Sequence, residues 1–142
     1  MTVELTLDEA QKAIAAGMRV AEGIEQPMNI AVVDSGGHLI AHARMDGAIK
    51  ASIDISIRKA RTAILMNMPT SALSEATQPG AELYGLEITS GGMVTFGGGI
   101  PIARKGVTVG AVGVSAGSVA QDVQVAEAAA AKLARPPAAR RK

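Results

Sequence analysis

His42, Arg44 and Asp46 open the run HARMDGAIKASIDISIRKARTA (residues 42–63), and their types and spacing suit chemistry better than any others in the chain. Along a strand, successive side chains alternate faces, so His38, Ile40, His42 and Arg44 share one side while Leu39, Ala41, Ala43 and Met45 take the other. An imidazole titrates near neutral pH, and a guanidinium two residues away can grip a carboxylate through paired hydrogen bonds. His42 is therefore a candidate ligand or general acid–base. Arg44 is a candidate clamp for a carboxylate or propionate, and Asp46, in the following turn, is a second candidate proton carrier. The competing reading is a packed or interface histidine leading into a solvated helix.

His38 and His42 stand about 13 Å apart at ~3.3 Å per residue, too far to share one metal ion. No H-E-x-x-H run or acidic loop supplies an alternative, so no metal site is expected. The chain has no cysteine, which excludes disulfides, thiolate metal sites and a cysteine nucleophile. Its seven methionines include a possible soft ligand, but Met18, Met45, Met66 and Met68 fit better as core fillers in a chain with one Tyr and one Phe.

Charge argues against nucleic acid. Four of the fourteen basic residues, Arg135, Arg140, Arg141 and Lys142, sit in the last eight positions, leaving ten Lys/Arg against thirteen Asp/Glu. That body is weakly acidic and offers only Tyr84 and Phe96 for base stacking. No apolar run approaches the ~20 residues needed to span a bilayer and no leader pattern opens the chain, so a cytoplasmic location and no membrane association are expected. At 142 residues one domain is expected, over residues 1–134, followed by a basic disordered tail over 135–142.

The elements that must position these residues follow from patterning. Thr6 and Glu9 form a capping box, and Leu7, Ala10, Ile14, Met18, Ala21 and Ile24 mark one face of a helix ending near Ile24. MNIAVVD reads as a strand, and Asp34 to Gly37 turn it into a second strand that ends with His42 and Arg44. From Gly47 to Met66 the length favours a helix over a strand. Its isoleucines, Ile49, Ile53, Ile57 and Ile64, are expected in the core and its charges at the surface or an interface, with Lys50, Asp54 and Arg58 spaced to pair.

Residues 67–92 are punctuated by Pro and Gly and suggest one or two short helices in a long loop. Short strands are then expected near Val94 to Phe96, Ile100 to Arg104 and Val107 to Ser115. A last helix follows, capped by Ser118 and Gln121, with Val119, Val123, Ala126, Ala130 and Leu133 inward. Two hairpins imply a mainly antiparallel sheet and the α+β class.

The glycines do not form a nucleotide fingerprint: GAVGVSAG is not G-x-G-x-x-G, and FGGGIPIARKG lacks a Lys-Ser/Thr ending. Gly97, Gly98 and Gly99 are candidates for an anion nest made of backbone amides.

MNIAVVDSGGHLIAHARMDGAIKASIDISIRKARTA, TFGGGIPIARKGVTVGAVGVSAGS and the Gln121-Asp122 pair together resemble the GlcG/HbpS family of small haem-binding-like domains, which also forms the C-terminal domain of one corrinoid adenosyltransferase type. The resemblance implies a roughly five-stranded antiparallel sheet flanked by helices in a profilin-like arrangement, and assembly into homo-oligomers. It implies a small-molecule binder with haem or another tetrapyrrole as the candidate cofactor; for such a ligand this chain's own residues offer His42 as the most plausible iron ligand, with Arg44 and Lys59 to pair with propionates. No histidine lies in the first helix, where some haem-binding relatives supply a ligand; AIAAGMRVAEG offers only Met18.

Two other functions fit the same residues. One is a cofactor-independent isomerase, lyase or hydrolase on a small organic acid from a catabolic pathway. There Arg44 would hold the carboxylate, His42 or Asp46 would move protons, and Gly97 to Gly99 would steady negative charge. The other is a non-catalytic oligomeric scaffold or sensor.

Overall fold

The computed structural model describes residues 4–134; the expectation for the tail, 135–142, lies outside them. Seven elements follow in the expected order: α1 (Leu7–Gly23), β1 (Asn29–Asp34), β2 (Leu39–Arg44), α2 (Ala51–Met66), β3 (Gly99–Arg104), β4 (Val107–Ser115) and α3 (Val119–Ala134). Short 3-10 turns at Thr70–Leu73 and Leu86–Ile88 break the crossover between α2 and β3.

Local signals act as their chemistry requires. The Thr6 hydroxyl accepts the Glu9 amide at 3.1 Å while the Glu9 carboxylate accepts the Thr6 amide at 3.2 Å, so two orphan donors of α1 are satisfied reciprocally. Ser118 and Gln121 repeat the exchange at α3. In the hairpin turn the Asp34 carboxylate accepts the amides of Gly36 and His38, each at 2.9 Å. The His38 amide contributes most to holding that carboxyl below the usual range, outweighing partial burial, which pushes it up.

All strand pairs are antiparallel in the order β2-β1-β4-β3, so each hairpin places one strand at the centre and one at an edge. Alternation then divides the sheet's two faces. Ile30, Val32, Val112 and Val114 meet Ala10, Ile14, Val125 and Ala129 in the main core, beneath α1 and α3. Val33 and Ala111 turn the other way and meet Ala60 and Ala63 of α2. α1 and α3 cross closely because Gly17 has no side chain where Ile30, Val125 and Ala129 converge.

Three expectations are corrected. Among the described residues the sheet has four strands, not five, because Val94 to Phe96 pairs with none of them. The Val94 amide donates instead to the Thr62 hydroxyl at 3.0 Å, and Gly98, at φ +126°, turns the chain before β3 can begin.

The isoleucines of α2 are not its core face. Its buried residues are Ser52, Ser56, Lys59, Ala60, Thr62 and Ala63, while Ile53, Ile57 and Ile64 are half-buried and Ile49, just ahead of the helix, is 59% exposed. Size decides this: α2 lies so close to β4 that Ser56 and Ala60 occupy the space a Gly113 side chain would need. Only small residues fit that contact.

In α3, finally, Val119 is exposed and Val123 half-buried, and Val125, Ala126, Ala129, Ala130 and Leu133 form the inner face.

The α2 arginines also do more than face solvent. Arg58 pairs with Asp54 at 2.7 Å and donates to the Gly91 carbonyl, while Arg61 donates to the Ser90 carbonyl at 2.8 Å. Together they pin the long crossover against α2.

Candidate functional site

β2 is an edge strand, and α2 covers it only lightly. In its ladder with β1, His42 stands opposite Ala31 and Arg44 opposite Asn29. β1 continues the same rows into β4, where Asn29 meets Ser115 and Ala31 meets Gly113. Opposite residues of an antiparallel ladder share a face. His42 and Arg44 therefore share a face, as expected, and it is the α2 side, in rows continued by Asn29, Ser115 and Gly113; a bulge that pairs Leu39 with Val33 and leaves Ile40 unpaired breaks the expected alternation earlier in the strand.

That corner is polar and buried. The Ser115 hydroxyl donates to the Ser52 hydroxyl at 2.9 Å, and Asn29, fully buried, donates through Nδ2 to the Ile49 carbonyl at 3.3 Å. Among the described residues two buried atoms there have no hydrogen-bond partner, Oδ1 of Asn29 and Nε2 of His42. Buried polar atoms are normally paired, so two orphans on neighbouring strands mark this corner as incomplete.

Burial, and next the Arg44 guanidinium, push the His42 pKa below 6.5, so its imidazole is neutral at pH 7. Arg44 itself is exposed, as is Asp46 in the turn beyond. Among the described residues no carboxylate hydrogen-bonds to His42, so the orienting half of an acid–base couple is absent there.

A folded state that binds the His42 proton less readily than the unfolded chain keeps its full stability above pH 6.5. It loses stability as pH falls from that value through the folded pKa. Denaturant unfolding at pH 8 and pH 5 is expected to show a loss at pH 5 that His42→Gln reduces. An unchanged loss in the variant would mean His42 does not contribute.

Lys59 is placed differently from the propionate partner expected of it. It is fully buried and lies across the sheet from His42's edge, donating to the Val114 carbonyl at 2.8 Å and to the Asp122 carboxylate at 2.9 Å. The Phe96 ring centre sits 4.9 Å from its ammonium, within cation–π range. Its bonds are thus engaged inside the protein, and pairing with a propionate at the surface is not its role in this structure. Burial lowers the Lys59 pKa and raises that of Asp122, in each case against the pull of the partner.

Gly98 and Gly99 pack against Lys59, and Gly97 against Val119 and Val123 of α3, so the run is enclosed and not an open nest. All three are buried, the Gly99 amide donates to the Thr70 hydroxyl at 2.9 Å, and a side chain on Gly98 would meet the Lys59 ammonium. Gly98 lets the chain pass directly over a buried cation.

Asn29 and Asp122 are the residues that pattern reading missed as parts of polar sites. Asn29 sits inside an apolar strand, and Asp122 finds Lys59 across 63 positions, a separation that carries no local signal. Among the described residues no group of three or more His, Asp or Glu could hold a metal ion, and no helix is long and apolar enough to cross a membrane.

The fold and this corner define the class: an α+β domain of three helices on a four-stranded antiparallel sheet, with a neutral, unpartnered histidine on an edge strand. Residues 5–131 match the family described as "Haem degrading protein HbpS-like", and the chain belongs to that HbpS-like family. It is 44% identical over 126 residues, 88% of this chain and 89% of the relative, to an uncharacterized 15.0 kDa protein of the dhaT-dhaS intergenic region of Citrobacter freundii. It is 39% identical to the corrinoid adenosyltransferase PduO of the same organism over 92% of this chain, which spans only 39% of that longer protein. Among solved structures, a PduOC:heme complex superposes with a TM-score of 0.87 at 37% identity, covering 92% of this chain and 95% of the other.

Proposed function

We propose that this protein is a small-molecule binding protein whose ligand is haem or a related tetrapyrrole, held at the His42 edge of the sheet. The observation that carries the reading is the His42 imidazole on the edge strand, neutral and with no hydrogen-bond partner among the described residues. A neutral ring nitrogen with no competing hydrogen bond is the form that ligates iron. Arg44, exposed on the same face, would pair with a propionate. The haem complex of a relative at 37% identity supports the same ligand class. When bound, the ring would supply an iron centre for electron transfer or oxygen chemistry.

The rest of the surroundings fit less closely. α1 has no histidine, its Met18 packs against the main core, and Tyr84 and Phe96 are 67% and 41% exposed, so no aromatic wall lines the His42 corner. A homo-oligomer belongs to this reading: the outward isoleucines of α2 form an apolar surface that a second subunit would cover and that would complete the ligand's enclosure.

Titrating hemin into the purified protein tests the reading. A saturable shift of the Soret band that His42→Ala abolishes and Arg44→Gln weakens is expected. No saturable shift, or one unchanged in His42→Ala, would exclude His42 ligation.

A further inference from the structure

We propose that the open edge of β2 pairs with the β2 edge of a second copy of this chain, antiparallel and centred on His42, so that one sheet runs through both copies. The proposal does not rest on the tetrapyrrole reading, because it starts from backbone groups and its test uses no haem.

The two edges of the sheet differ. The Val114 amide donates to the Gly98 carbonyl at 2.9 Å, which makes these two a hydrogen-bonded pair and turns the backbone groups of Gly99 and Pro101 outward. The Gly99 amide is taken by the Thr70 hydroxyl and Pro101 has no N–H, so the outer row of β3 is already broken. At the other edge the Met45 amide donates to the Met28 carbonyl at 3.0 Å. Alternation along that ladder turns the amides and carbonyls of His42 and Arg44 outward, where no described residue bonds to them. Neither proline nor lysine guards this row.

Whatever pairs there also meets an apolar wall. Arg61 and Ile64 border Gly37 in the β1–β2 turn, so the stripe of α2 that holds Ile64, Ile57 and Ile53 looks along the sheet toward β2. A second copy supplies both complements, an extended backbone for β2 and an identical stripe for the isoleucines. Opposite residues of an antiparallel pair share a face, so the two α2 helices stand on one side of the joined sheet with their stripes facing across the seam.

Charge and the bulge fix the register. Centred on His42, the pairing joins the two His42 residues through both their backbone bonds and sets Ala41 opposite the partner's Ala43. The two Arg44 residues are then four positions apart, ~13 Å along the strand at ~3.3 Å per residue. Centring one residue later, on Ala43, brings them to ~7–8 Å, where like charges repel. Centring earlier is blocked by the bulge at Ile40, where the backbone leaves the regular ladder. His42, neutral beside its counterpart, brings no repulsion of its own. Two imidazoles thus lie side by side on the α2 face, and a ligand of one meets both copies.

The chain has no cysteine, so single cysteines report the contact. Oxidised with copper phenanthroline, full-length His42→Cys is expected to form a disulfide dimer at least about tenfold faster than Arg44→Cys, because only position 42 has its counterpart at ~5.5 Å, inside the disulfide range. Arg44 is the more exposed of the two, so random collision predicts the reverse order. If His42→Cys does not fold, a mixture of Ala41→Cys and Ala43→Cys chains decides. Their cysteines stand opposite at ~4.5 Å in this register, and cross-linking is expected between the two variants and not within either. Arg44→Cys linking as fast as His42→Cys, Ala43→Cys linking to itself, or a native chain that sediments as a monomer, leaving the edge to another protein's strand, would each overturn the proposal.

Discussion

Lys59→Met is expected to destabilise the protein by about 3–5 kcal/mol, the range for removing one partner of a buried ion pair. The loss comes less from the missing attraction than from the Asp122 carboxylate, 3% exposed, left without its cation. The amide of Gly117, at 2.9 Å, would remain its hydrogen-bond partner and cannot neutralise it. The deficit should also depend on pH in a defined direction. Burial already raises the Asp122 pKa above 3.8, and without Lys59 it rises further. A carboxyl with a raised folded pKa contributes stability below the unfolded value and loses it as pH rises through the folded one. Lys59→Met is therefore expected to be closest to the parent near pH 4 and furthest from it at pH 8. Lys59→Met with Asp122→Asn, which removes both charges and keeps an acceptor for Gly117, should recover more than half of the loss at pH 8. Urea unfolding of the three proteins across that range measures it, and a double variant no better than Lys59→Met would show that packing, not charge, sets the cost.

That pair also marks where reading the sequence stops. Patterning located the capping boxes, the two hairpins and α2, because each is decided by neighbours within a few residues. It also placed His42 and Arg44 together on one strand face, since a strand's period is independent of what packs upon it. The hydrophobic rule failed on α2. It assigned the isoleucines to the core, whereas the closeness of α2 to β4 excluded bulky residues and brought in Ser52, Ser56 and Ala60. A helix that faces a glycine and alanine strand is selected by volume, and volume demand depends on a partner more than 50 residues away.

The same limit hid the chemistry. Lys59 lies in a run of charged residues, IRKAR, and nothing local distinguishes it from Arg58 and Arg61, which stay near the surface and hold loop carbonyls. What separates them is rotation around α2, which turns Lys59 toward the end of β4 and α3. Asn29 was concealed in the opposite way, as one polar residue in a strand otherwise read as apolar. The expected fifth strand failed for a related reason: its amide partner was the Thr62 side chain, not another strand.

Gly113→Ala is expected to cost about 3 kcal/mol, at the upper end for one added carbon in a packed core. The new methyl would enter the space of the Ser56 carbonyl and the Ala60 amide and side chain, and two of those three atoms belong to the α2 backbone. A flexible side chain could rotate away; a helix backbone must move as a unit. Moving α2 outward would strain the Lys59 bonds to Val114 and Asp122 and the Ser52–Ser115 contact, which all bridge α2 to the sheet or to α3. The expected fall in melting temperature is roughly 10 °C, taking ~3–4 °C per kcal/mol for a domain of this size. Gly106→Ala is the comparison, because nothing lies within 4 Å of a side chain there and only its φ of +77° opposes the change. That variant is expected to lose about 1 kcal/mol, the strain of a left-handed residue alone. A loss at Gly113 no larger than that at Gly106 would mean that the close seating of α2 on β4 is not what requires small residues on both sides of that contact.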